Sequence, residues 1–135
     1  MKKAAPALVL AGVLLASCGR GDGGPSSTTE IPLQRVIDDP ERYEGREIQV
    51  RARYYASFEV SVLAAQLTES SPPQPAGPLV WVGASPAGPC LRRSSDAAWA
   101  QQAVATGTFH HDPEGAFGHL GGYWMELADA RVRCP

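Results

Sequence analysis

The chain reads as a mainly β domain: five strands closed into a barrel, a short helix ahead of the first strand and a second helix between strands three and four. Three observations predict this. Apolar and polar residues alternate with period two in "REIQVRARYY" and again in "FEVSVLAAQL". Proline- and glycine-rich turns, "TESSPPQPAGP", "SPAGPC" and "DPEG", punctuate the remainder. Between the last two turns only one segment, "SSDAAWAQQ", has helical character.

Taken in order, "PLQRVIDDPERYEG" places Leu33, Val36 and Ile37 at i, i+3 and i+4, one apolar stripe on a short helix. Asp39 before Pro40 is a cap-and-first-residue pair for a second helical turn ending near Gly45. Ile48, Val50, Ala52 and Tyr54 then alternate with Glu47, Gln49, Arg51 and Arg53, the pattern of a half-buried strand. "YASF" is a bend leading into the second strand. The proline-rich stretch after it cannot be a central strand. "LVWVGA" is a short third strand with Trp81 large enough to dominate one side of a core. Ser94 or Ser95 caps the helix of "SSDAAWAQQ", "AVATGTFHH" returns to strand, and "YWMELADARVRC" closes the chain. Three strands, a helix and two strands is the order of the OB-fold.

The chain starts "MKKAAPALVLAGVLLASC": two lysines, a short apolar run and small residues before Cys18, the layout of a secretory signal at residues 1–17 and too short for a comfortable membrane span. "LASC" resembles the lipobox of bacterial lipoproteins. The resemblance implies that Cys18 becomes an acylated N-terminus, and several acyl chains hold a protein stably on a bilayer. Gly19, where an inner-membrane retention signal has Asp, implies an outer-membrane anchor in a Gram-negative host, with the domain facing the periplasm. Residues 18–30 form the lipidated cysteine and a Gly/Ser/Thr tether, and 31–135 form one domain.

Losing Lys2 and Lys3 leaves ten arginines against fourteen acidic residues and no lysine. Lysine nucleophiles, Schiff bases and P-loop chemistry are thereby excluded from the mature chain. An acidic exported domain is also poorly suited to nucleic acid, whose binding depends on neutralising phosphates. Cys90 and Cys134 remain in an oxidising compartment that favours their pairing, which closes a loop of more than forty residues; two free thiols or an intermolecular bridge are the alternatives.

"DPERYEGREIQVRARY" and "GTFHHDPEGAFGHLGGYWMELADARV" resemble the opening and closing segments of small bacterial lipoproteins and exported domains of unknown function that have an OB-like barrel. Ala52 or Arg53 stands where a strand glycine is common in them. The resemblance implies a fold and brings no reaction.

Three histidines, His110, His111 and His119, lie close in sequence with Asp112 and Glu114. "DPEG" is a turn in which Asp112 bonds local backbone, Pro113 sets φ and Gly115 takes positive φ. A type I turn with a glycine bulge pairs His111 with Phe117 and Phe109 with His119, so that His111 and His119 share a face and His110 points away. A two-residue Glu114-Gly115 turn, which sets His110 opposite His119, is disfavoured because it puts Glu114 at positive φ. His111 and His119 are the candidate metal pair, one ligand short of a catalytic zinc site. "GHLGGY" lacks the spacing of a phosphate loop and suits a bulge or coil. No serine sits in a nucleophile elbow, although "WVGASPAG" is faintly similar to one, and Glu59 and Glu126 are explained as solvated strand faces. Tyr54, Tyr55 and Phe58 are the candidate binding surface, because OB barrels bind across strands two and three and the flanking loops.

The expectation is a non-enzymatic, membrane-anchored binding or assembly module for an envelope protein or glycan, with no cofactor and no nucleic-acid partner. A metal-binding lipoprotein and a small periplasmic hydrolase are the alternatives.

Overall fold

Leu33 and Val36 are buried and Ile37 is half-buried, so the opening stripe forms the expected short helix, α1 (Leu33–Asp38), directly after a three-residue strand, β1 (Glu30–Pro32). The computed structural model describes residues 29–83 and 88–135, so the signal, Cys18, most of the tether and Ser85 lie outside the described residues. A 3-10 turn, Pro40–Tyr43, follows with Pro40 at its first position; Asp39 stands before it without a side-chain cap bond. Then come β2 (Glu47–Ser57), β3 (Ser61–Leu67), β4 (Pro75–Trp81), β5 (Arg92–Arg93), β6 (Ala97–His111) and β7 (Met125–Arg133).

The fold is mainly β, with these strands in one seven-stranded mixed sheet of order β1-β2-β3-β4-β7-β6-β5. β6 also pairs with β2, so the pairings run in a ring from β2 through β3, β4, β7 and β6 back to β2, with β1 on β2 and β5 on β6 as additional strands. β1 runs parallel to β2, and β4 meets β7 in parallel only at Trp81 and Glu126. The main core is lined by the inward residues of β2, with Leu63, Val80, Phe109 and Leu127, and is closed at one end by Leu33, Val36 and Tyr43. Tyr55, Val62 and Ala97 anchor a second cluster with Trp81, Trp99 and Tyr123 packed against it. Cys90 and Cys134 form an intramolecular disulfide, with their Cα atoms 5.6 Å apart.

Three sequence expectations change. The segment from Ser94 to Gln102 is not a helix. Ser94 behaves partly as a helix cap, its Oγ accepting from the amides of Asp96 at 3.4 Å and Ala97 at 3.1 Å. Its own amide, however, donates to the carbonyl of Ala97 at 2.8 Å and closes a hairpin between β5 and β6. Ala100 and Ala103 then face the main core and Ala97 the second cluster, and β6 pairs with β2 from Ala97 opposite Ser57 to Thr108 opposite Glu47. Helix propensity separates residues by only about 0.7 kcal/mol at most outside Gly and Pro. A continuous ladder with a central strand outweighs that preference.

The proline-rich loop is partly strand, since Pro75 to Pro78 belong to β4. β3 is the ladder partner of that stretch, with Leu67 opposite Pro75, while β7 joins β4 only at Trp81. Proline is tolerated there because the missing N–H removes no bond to a second neighbour. The bend between the first two strands also falls later than "YASF": Tyr55, Ala56 and Ser57 stay paired with β6, and Ser57 N–H donates to Val60 O at 2.8 Å around Phe58 and Glu59.

Candidate functional site

Between β6 and β7 the chain makes an excursion over residues 112–124. Asp112 starts it as its sequence predicts: Oδ1 accepts from the amide of Glu114 at 2.9 Å, and its carbonyl accepts from the amide of Gly115 at 3.0 Å. Gly115 has φ of 72°, which a β-carbon disfavours. The return does not begin at Phe117. Gly122 N–H bonds back to Gly115 O at 2.7 Å and Phe117 bridges Tyr123, so residues 115–123 close on themselves. The ladder resumes with Asp112 N–H on Trp124 O and His111 opposite Met125.

This corrects the hairpin register. His111 pairs with Met125, His110 with Glu126 and Phe109 with Leu127, not His111 with Phe117 or Phe109 with His119. A four-residue turn signal was sufficient for a tight hairpin, but glycines at 118, 121 and 122, all at positive φ, let the chain coil before it pairs again. The two candidate metal histidines consequently have different surroundings. His111 Nδ1 lies 2.7 Å from Glu41 Oε1, whereas the ring of His119 is 6.3 Å from that of Trp81. His110 Nδ1 lies 3.1 Å from Glu44 Oε1, and the amide of His111 donates to Glu44 Oε2 at 2.6 Å. That amide, followed by the His110 contact, holds the Glu44 carboxyl below its ordinary value. Among the described residues no three His, Cys, Asp or Glu side chains are grouped to hold a metal ion.

The expected aromatic surface also divides. Tyr54 is fully buried in the main core, its hydroxyl 3.1 Å from Ser61 Oγ, and burial raises its pKa, so it has no surface to present. Tyr55 is 6 % exposed and belongs to the second cluster. Phe58, at the tip of the β2–β3 turn, is 96 % exposed.

The excursion itself forms a surface that the sequence reading did not single out. Tyr123 packs against Trp81 with ring centroids 5.3 Å apart, and burial raises the Tyr123 pKa. Next to it, Trp124 is 61 % exposed, and Leu120 stands out at 87 %. Pro78 and Leu79 of β4 face Tyr123, Trp124 and Met125 across a groove of 260 Å³ with no charged side chain in its lining. Tyr123 and Trp124 precede β7, and their placement follows from where the ladder resumes, with Met125 opposite His111. An uncharged groove beside an exposed tryptophan can take up an apolar side chain or stack a flat ring.

The chain matches no family model, no curated protein and no solved structure.

Proposed function

We propose that the protein is a non-enzymatic binding module of the cell envelope, held on the periplasmic side of the outer membrane by acylation of Cys18. Its folded part is an OB-like barrel. Support for that reading is the ring of pairings from β2 through β3, β4, β7 and β6 back to β2, with a helix capping the core.

The observation that carries the binding role is Trp124, 61 % exposed at the rim of the uncharged groove between β4 and β7. Aromatic anchors in well-packed pockets dominate protein–protein binding energy. The groove is large enough for one or two apolar side chains, which favours an envelope protein as the partner and a glycan as the alternative occupant. Tyr123 is held by Trp81, so this wall of the groove is ordered before a partner arrives.

The test is site-specific photocrosslinking in the native envelope from position 120, with and without Trp124→Ala. A discrete protein adduct that disappears in the Trp124 variant supports the reading. Adducts confined to cell-wall fragments would redirect it to glycan, and a pattern indifferent to Trp124 would overturn the groove as the binding site. Radiolabelled palmitate incorporation, compared with Cys18→Ser, tests the anchor separately.

A further inference from the structure

We infer that the outer face of β2 and β6 is a docking surface for the anionic phospholipid headgroups of the bilayer that holds Cys18. The inference deepens the lipid-anchor reading and rests on it for which bilayer is in reach. Arg51 and Arg53 project from β2 on either side of the buried Ala52, and both line two clefts, of 350 and 220 Å³. Toward β6 the first cleft is completed by Gln101 and Gln102. These two stand opposite the single residue Arg53 at an irregularity in the ladder, where pairing steps from Ala52–Ala103 to Tyr54–Ala100. The same two glutamines line a third cleft, of 500 Å³, which adds Arg92. No Asp or Glu lines any of the three.

Guanidinium and amide groups recur in all three clefts, among apolar residues such as Ala64, Ala65 and Pro89, and suit phosphate oxygens, which accept several charge-assisted hydrogen bonds at once. Glu30 is bonded to Arg51 through Nε at 2.9 Å and through Nη2, with Arg133 Nη2 at 3.5 Å. One carboxylate between two arginines leaves the face net positive even before Arg53 and Arg92 are added. The domain as a whole is acidic, so this concentration of cations is local.

Glu30 is also where the described fold begins, so the chain toward Cys18 leaves from this face. Eleven residues lie between Cys18 and Glu30, and the twelve steps reach at most about 40 Å when extended. The cationic face is therefore the part of the domain closest along the chain to the anchor. Each arginine near an anionic surface contributes about 1 kcal/mol, and the attraction fades within a Debye length.

The experiment uses the full chain carrying Cys18→Ser, so that acylation plays no part, and measures cosedimentation with vesicles. Vesicles of phosphatidylcholine with phosphatidylglycerol should bind it, and vesicles of phosphatidylcholine alone should not. Arg53→Gln and Arg92→Gln should each weaken binding about fivefold, and ~1 M salt should abolish it. Arg92→Gln leaves the Glu30 bridge intact, so its effect is separable from misfolding, which circular dichroism checks in every variant. Arg35→Gln, on α1, should change little. Equal binding to both vesicle types, or no effect of Arg53 and Arg92, overturns the inference. Competition by millimolar inorganic phosphate would also overturn it, in favour of a small-anion site. Failure of palmitate labelling would remove the anchor and leave the vesicle result standing.

Discussion

The backbone amide of His111 donates to Oε2 of Glu44 at 2.6 Å, which joins the end of β6 to the turn that follows α1. Oε1 of the same carboxylate lies 3.1 Å from His110 Nδ1, and Glu41 meets His111 Nδ1 one turn earlier. The adjacent histidines are thus explained by two acids of the preceding element. Because the His111 amide favours the charged carboxylate, the folded-state pKa of Glu44 lies below its unfolded value. A depressed carboxyl contributes stability that is fully present above the unfolded value, about 4.3, and is lost as pH falls through the folded one. In urea titrations the advantage of the wild type over Glu44→Gln should therefore be constant from neutral pH down to about 5 and shrink below about 4. An advantage that grows on acidification would show that another group is responsible.

Gly107 lies in β6 where the ladder with β7 shifts register between Thr106 and Thr108. A β-carbon there would stand 2.5 Å from the carbonyl oxygen of Ala128 and 3.0 Å from Leu127 Cγ. The oxygen belongs to the backbone, so relief requires a strand to move. Gly107→Ala should cost about 1–3 kcal/mol by overpacking. The denaturation midpoint should fall with the m-value unchanged, and an unaltered midpoint would mean that β7 yields at this point.

The disulfide joins residues 44 apart and ties the end of the chain to the segment before β5. Loop-closure entropy for that separation is worth about 4 kcal/mol, and measured losses run about 2–4. Cys134→Ser should lower stability by that order under non-reducing conditions. Dithiothreitol should lower the wild type to the same level and leave the variant unaffected.

The strands that carry their own period were legible in the sequence: Ile48, Val50, Ala52 and Tyr54 are buried as their alternation indicates, and the stripe of α1 packs as read. The misread segments are those where a distant partner decides. Ala97 to Gln102 prefers a helix in isolation, and β2, forty or more residues earlier, makes it a strand. Pro75 and Pro78 argue against a strand unless one knows that β7 joins β4 only at Trp81. The groove was missed for a related reason. Turn chemistry at Asp112 to Gly115 is local, but where the chain pairs again depends on Met125 meeting His111, and no local signal encodes that register.

Gly115 connects this turn to the groove. It has φ of 72°, and an added β-carbon would lie 2.8 Å from Trp124 Cδ1 and 3.0 Å from its Nε1. Gly115→Ala therefore adds backbone strain, of about 1–2 kcal/mol for a non-glycine residue in the left-handed region, and displaces the indole. The core clusters contain neither Gly115 nor Trp124, so the loss of global stability should stay near that figure. Trp124 fluorescence, resolved in a background of Trp81→Phe and Trp99→Phe, should shift in the variant. The partner adduct from position 120 should weaken in parallel, because the rim of the groove has moved while the sheet has not. A shifted spectrum with an undiminished adduct would separate Trp124 from recognition and leave Leu120 as the contact.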